Sequence, residues 1–343
     1  MADSPYAYYG TIDPEYEALL ATMPPPPGAP DDPATSREPM NREFSKAIHE
    51  SFKDRMPDPS TYTIADHSVP LDNGTVQILV RTITPTAADG RTFPLLYYIH
   101  GGGFIVGTIE INQPLATTVA VDLQIAVALV EYRLAPEHPH PIPLMDCVEA
   151  LKWTLNNASS FRVDISKGYV IAGDSAGASL TASAVHLIRD DPFFHAKQPS
   201  GQILHIPCLL DPRAYPEEYK PVLRSLDMTK NMPTAGLGKK FIHDMYEKYL
   251  KNSPEDPTAS PLLFPSHANL PPVVLQVCGL DLFRDEGILY EKLLKEAGVK
   301  TRLHVYQGVP HGFYFVYHQL AVGKKFEKDY KDGLLWLLGG AQS

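Results

Sequence analysis

Short unbroken apolar runs and helical stripes take turns along most of this chain. FPLLYYI (93–99), QIAVALVEY (124–132), GYVIAG (168–173), GQILHIPCLL (201–210) and PPVVLQVCG (271–279) are continuous, as strands covered on both faces are. KTRLHVYQ (300–307) adds a further strand. Between and after them PLMDCVEALKWTLNN (143–157), GASLTASAVHLIRDD (177–191), EGILYEKLLKEAG (286–298) and KKFEKDYKDGLLWLL (324–338) read as helices. Upstream, YTIADHSV (62–69) and TVQILVRT (75–82) flank LDNG, a hairpin signal. An antiparallel start followed by alternating β and α predicts an α/β fold: a mixed, mostly parallel eight-stranded sheet with helices on both faces.

Two stretches break this rhythm. Residues 1–60 form an arm with no core of its own. MPPPPGAPDDP (23–33) is expected to run extended, and NREFSKAIHESF (41–52) sets Phe44, Ile48 and Phe52 on one helical face that needs cover from the main domain. Residues 211–255 interrupt the alternation after the sixth strand. Their helix carries Phe241, Ile242, Met245, Tyr246 and Tyr249 at helical spacing, and an insertion of this length predicts a cap over the sheet edge. The catalytic domain then spans 61–343.

Composition narrows the classes. With 30 Lys+Arg against 40 Asp+Glu the chain carries −10, without the basic balance of a nucleic-acid binder. LATTVAVDLQIAVALVEY (115–132) is interrupted by Asp122 and Gln124, so it reads as a helix end plus a buried strand, with no membrane span. The first residues show no secretory signal, and a cytoplasmic location is expected. Cys147, Cys208 and Cys278 are widely spaced in apolar settings and read as buried reduced thiols. The sequons at Asn73 and Asn157 read as chance matches. No Cys/His cluster suggests a metal, and no cofactor is expected.

GDSAG (173–177) follows a strand and opens a helix. A serine thrust out at that turn lies at a helix N-terminus, and the residues two before and two after it must be small. Ser175 is therefore the candidate nucleophile. HGGGF (100–104) follows another strand. Its glycines leave backbone amides open to a substrate oxygen, which makes Gly102, Gly103 and Ala176 the expected oxyanion hole, with His100 anchoring the loop. A serine hydroxyl needs a base. His311, after the last strand, fits the order Ser…Asp…His. His304 and His205 lie within strands, and His138 and His140 precede the serine. Of the acids in DLFRDEG (281–287), Asp281 ends the strand loop and is the orienting carboxylate, with Asp211 as the alternate. Asp285 and Glu286 open the next helix as first-turn acids. Phe104, Phe241, Tyr246 and Phe313 are candidate pocket walls or, equally, ordinary core.

HGGGF, EYRLAPEHPHP (131–141), GDSAG, DLFRDEG and HGF (311–313) together resemble the hormone-sensitive-lipase-like family of α/β-hydrolases. The resemblance implies a serine esterase with Ser175, Asp281 and His311 as triad, Gly102, Gly103 and Ala176 as oxyanion hole, Arg133 and Glu137 as scaffold, and a cap built from the arm plus the insertion. Ala178 and Leu282 depart from the family pattern without touching the chemistry. The expected substrates are short- to medium-chain acyl, acetyl or aryl esters. Amide or lactone hydrolysis by the same triad stays open, and a non-catalytic receptor on this fold is disfavoured because the receptors resembling the family lack the histidine. A small-molecule ester is the expected partner, and a homodimer is compatible with it.

Overall fold

In the computed structural model, which describes residues 4–23, 34–228 and 238–342, the alternation becomes one eight-stranded sheet. Most of the proline run and residues 229–237 of the insertion lie outside the described residues. The strands are β1 (Tyr62–Leu71), β2 (Val76–Pro85), β3 (Leu95–Ile99), β4 (Ala126–Glu131), β5 (Tyr169–Asp174), β6 (Gly201–His205), β7 (Val273–Cys278) and β8 (Thr301–Tyr306), in the spatial order β1-β2-β4-β3-β5-β6-β7-β8. The β1–β2 hairpin and the β2–β4 pair are antiparallel, and every other pair is parallel.

Side-chain alternation divides the core between two faces, as a pleat with period two requires. Leu95, Tyr97 and Ile99 of β3 join one apolar cluster, while Leu96 and Tyr98 join the other. The first cluster is covered by α4 (Ile142–Asn156), α5 (Ala176–Asp190), α6 (Lys239–Tyr249) and α7 (Arg284–Glu296). The second is covered by α2 (Arg37–Phe52), α3 (Ile109–Leu123) and α8 (Ala321–Leu338). Among the described residues, no helix is long and apolar enough to cross a membrane. Cys147, Cys208 and Cys278 are free and buried.

The arm's stripe finds its cover on this second face. Ile48 and Phe52 are buried, Phe52 against the His318 ring at 4.6 Å. Phe44 is the exception: it stays 42% exposed and only meets Phe315 edge-on at 5.8 Å. Ahead of α2, the short α1 (Pro14–Leu20) is capped by Asp13, whose side chain accepts from the Tyr16 N–H.

Candidate active site

Parallel strands place their carboxyl ends on one edge, and the loops that leave β3, β5, β7 and β8 there carry the glycine run, the elbow serine, Asp281 and His311. Ser175 sits between β5 and α5 with φ 53° and ψ −119°, a conformation that costs on the order of 1–3 kcal/mol and persists only when its surroundings hold it. Here they do: its N–H donates to His205 O (2.8 Å), and its carbonyl accepts from Ser179 N (3.1 Å). The small residues around it have a measurable reason. A Cβ on Gly173 would lie 2.3 Å from Gly177 O, and one on Gly177 would lie 2.1 Å from Ile99 O.

His311 Nε2 lies 3.0 Å from Ser175 Oγ, and His311 Nδ1 lies 2.7 Å from Asp281 Oδ2. Asp281 is buried, and its Oδ1 accepts from Phe283 N (2.9 Å), which fixes the carboxylate plane toward the imidazole. None of the other histidines weighed above has a ring nitrogen at Ser175. His205 is wholly buried in β6, His304 Nδ1 faces Asp329 at 3.3 Å, and His140 reaches Tyr249 Oη and Thr258 Oγ1. Asp211, the alternate acid, is paired with Arg213 (2.6 Å).

Beside this chain of hydrogen bonds lies the glycine loop. Gly102, Gly103 and Phe104 all adopt positive φ. His100 Nδ1 lies 2.8 Å from Gly101 O, and its ring stacks on Tyr132 at 4.3 Å, the anchoring role expected of it. As first residue of α5, Ala176 has an N–H without a partner inside the helix. Arg133 pairs with Asp146 (2.6 Å) and Glu137 with Arg37 (2.7 Å), both as scaffold. Among the described residues no group of three or more His, Cys, Asp or Glu could hold a metal ion.

The four aromatic candidates divide. Phe104 is fully buried and stacks on Tyr249 at 3.7 Å, Phe313 is buried among Tyr306, Tyr314 and Phe326, and Tyr246 is fully buried on α6. These three have the surroundings of core residues. Phe241 is half-buried and comes to the glycine loop together with Met245. A Cβ on Gly103 would lie 2.8 Å from Met245 Sδ and 3.5 Å from Phe241 Cε1. Met245 was legible only as one turn of an apolar stripe.

Asp285 and Glu286 lie in the first turn of α7, as expected of them, but both are buried. Asp285 forms a fully buried ion pair with Arg284 (2.8 Å) and accepts from the N–H groups of Arg224 and Ser225, while Ser4 bridges the pair from the arm. Glu286 accepts from Leu209 N, Leu210 N and Tyr215 Oη, and burial pushes its carboxyl up to about 8. Asp174 stands directly ahead of the serine in the motif. It is buried, accepts from Tyr98 Oη (3.1 Å) and Asn112 Nδ2 (2.9 Å), and burial raises its carboxyl above the usual range.

Comparison with known proteins gives a consistent neighbourhood. The family described as alpha/beta hydrolase fold (Abhydrolase_3) matches residues 96–315. An AB hydrolase superfamily protein of Schizosaccharomyces pombe is 32% identical over 87% of this chain and 86% of its own length. Versiconal hemiacetal acetate esterase of Dothistroma septosporum is 31% identical over 79% of this chain and 81% of its own. Among solved structures, vibralactone cyclase superposes with TM-score 0.90 at 36% identity, covering 100% of this chain and 98% of that one. A bacterial heroin esterase gives 0.79 at 31%, covering 98% and 99%.

Proposed function

This chain belongs to the hormone-sensitive-lipase-like branch of the alpha/beta hydrolase fold (Abhydrolase_3), and on that premise we propose that Ser175, His311 and Asp281 make it a serine carboxylesterase. Hydrolysis of carboxylic esters, the activity in the names of its esterase relatives, is this chain's reaction. The observation that carries the residue assignment is the continuous path Asp281–His311–Ser175, with 2.7 Å and 3.0 Å steps.

In the proposed mechanism Asp281 accepts from His311 Nδ1–H and so leaves Nε2 as acceptor. Nε2 takes the Ser175 hydroxyl proton as Oγ attacks the ester carbonyl carbon. The carbonyl oxygen becomes an oxyanion, which the N–H groups of Gly102, Gly103 and Ala176 receive. Each such donor is worth about 10²–10³ in rate. His311 then returns the proton to the leaving alkoxide, and an acyl-Ser175 ester remains. Water, deprotonated by the same nitrogen, attacks it; the acid leaves and Oγ regains its proton.

For substrates we propose short- to medium-chain acyl, acetyl or aryl esters, under a cap formed by the arm and residues 211–255. Support comes from Met245 and Phe241, which the insertion's helix α6 brings close to Gly103. A lactone as substrate or product is a second reading, favoured by the match to vibralactone cyclase. We also propose a cytoplasmic setting, consistent with three free buried thiols, and leave a homodimer to the open edge of β8. A panel of p-nitrophenyl esters from acetate upward, with lactone and amide probes, tests the class. Ser175→Ala is expected to lose several powers of ten in kcat with the melting temperature kept, and a loss under about tenfold refutes the assignment.

A further inference from the structure

The loop that carries Gly102 and Gly103 is a poor holder of direction by itself. Gly102, Gly103, Phe104 and Gly107 all adopt positive φ, and glycines lose the most freedom when fixed. Its fold is a double return. Ile105 N and Val106 N both donate to Gly102 O, and a Cβ on Gly102 would lie 2.0 Å from Val106 O. A Cβ on Gly107 would lie 2.1 Å from Gly101 O. Residues 105–107 are therefore the backing against which 101–102 rest, and wherever that backing sits the two donor glycines must follow.

What holds the backing comes from the arm. On α2, Asn41 takes both main-chain groups of Gly107: its Nδ2 donates to Gly107 O (3.0 Å) and its Oδ1 accepts from Gly107 N (2.8 Å). One turn earlier Arg37 Nε donates to Ile105 O (2.7 Å). Its Nη2 donates to Ala135 O (2.8 Å), the residue whose N–H donates to Phe104 O (2.9 Å). Glu137 holds the guanidinium in plane (2.7 Å). Packing buries Phe104 and Ile105, but beside Gly107 the surface opens into a groove of about 310 Å³ lined by Arg37, Asn41, Gly107, Glu131, Glu137 and His138, and there the ties come from these side chains.

We propose that Asn41 and Arg37 are positioning residues of the esterase: through Gly107 and Ile105 they aim the Gly102 and Gly103 N–H groups at the developing oxyanion. This rests on the reading of those glycines as oxyanion donors. Neither side chain touches the reacting atoms. Their effect is to remove a soft degree of freedom from the loop, and a misplacement of about 1 Å at such donors costs on the order of 10²-fold in rate.

The test compares Asn41→Ala with Ile48→Ala, which loosens the same helix from the core without touching the loop. Two readouts are used: p-nitrophenyl acetate hydrolysis per fluorophosphonate-titrated site, and the Ki of an aryl trifluoromethyl ketone, which adds Ser175 to give a tetrahedral oxyanion. Asn41→Ala is expected to lower kcat about tenfold or more with KM little changed, and to raise the ketone Ki by the factor lost from kcat/KM. Ile48→Ala is expected to lower the melting temperature with both readouts per site unchanged. Arg37→Lys keeps the charge facing Glu137 but loses the planar fork. It is expected to show a several-fold loss in the same two readouts, and serves if Asn41→Ala does not fold. A kcat and ketone Ki within about twofold of wild type, a fall in kcat with Ki unchanged, or equal losses in Ile48→Ala overturn the proposal. A wild-type enzyme indifferent to the ketone overturns the oxyanion reading beneath it as well.

Discussion

Replacing Gly177 with alanine sets two energies against each other. Position 177 is the second residue of α5, and alanine there gains roughly 1 kcal/mol of helix propensity. The new Cβ would lie 2.1 Å from Ile99 O, 2.5 Å from His100 O and 2.8 Å from His100 C, all backbone atoms that cannot swing aside. Ordinary contact begins at 3.4 Å, so the start of α5 and the end of β3 must part by about 1 Å. Overpacking of this kind costs typically 1–3 kcal/mol, and the propensity gain offsets part of it, so the fold survives with a melting temperature lowered by a few degrees. The catalytic geometry does not survive. Ser175 and Ala176 move with the helix, while Gly102 and Gly103 move with β3, so nucleophile and oxyanion donors separate along the line of the strain. At about 10²-fold per 1 Å, kcat for p-nitrophenyl acetate is expected to fall roughly a hundredfold. The assay normalises turnover to sites titrated by a fluorophosphonate and follows unfolding by circular dichroism. A Gly177→Ala enzyme with a raised melting temperature and turnover within about threefold of wild type would refute the reasoning, because propensity would then have outweighed the contact.

Asp281→Asn is expected to lower kcat by about 10⁴, since it holds the wrong imidazole tautomer. Asp285→Asn should leave turnover per folded molecule nearly intact and cost about 3 kcal/mol or more in chemical denaturation, because it strands the buried Arg284 charge. The Glu286 carboxyl, raised to about 8 by burial, is favoured in its neutral form by the fold. Its contribution to stability is therefore present below the ordinary carboxylate range and lost as pH rises toward 8. Glu286→Gln imitates the neutral form, so the stability of wild type relative to that variant is expected to decline between pH 5 and pH 9, and a flat difference in urea melts at the two pH values refutes it. Met245→Ala removes the sulfur above Gly103 and is expected to raise kcat/KM for octanoate relative to acetate, read from the two p-nitrophenyl esters.

The sequence by itself determined the parts of this protein whose causes are local. Continuous apolar runs predicted strands buried on both faces, and β3 to β7 are those runs. Gly173 and Gly177 announced a turn too tight for side chains, and chain order picked His311 and Asp281 from many candidates. The tertiary structure alone decided what depends on residues distant in the chain. Asp285 and Glu286 look like first-turn acids because their neighbours in sequence are a helix start. They are buried because Ser4, Arg224, Leu209 and Tyr215 arrive from elsewhere to satisfy them. The Phe104 and Phe313 rings read equally as pocket wall or core, since apolar area says that a ring is buried but not what covers it. Tyr249 and Phe326 are the rings that the fold brings against them. Asn41 carries no signal at all in a polar helix. Its meaning comes from Gly107, 66 positions later, whose two main-chain groups need a partner that the glycine loop cannot supply from within.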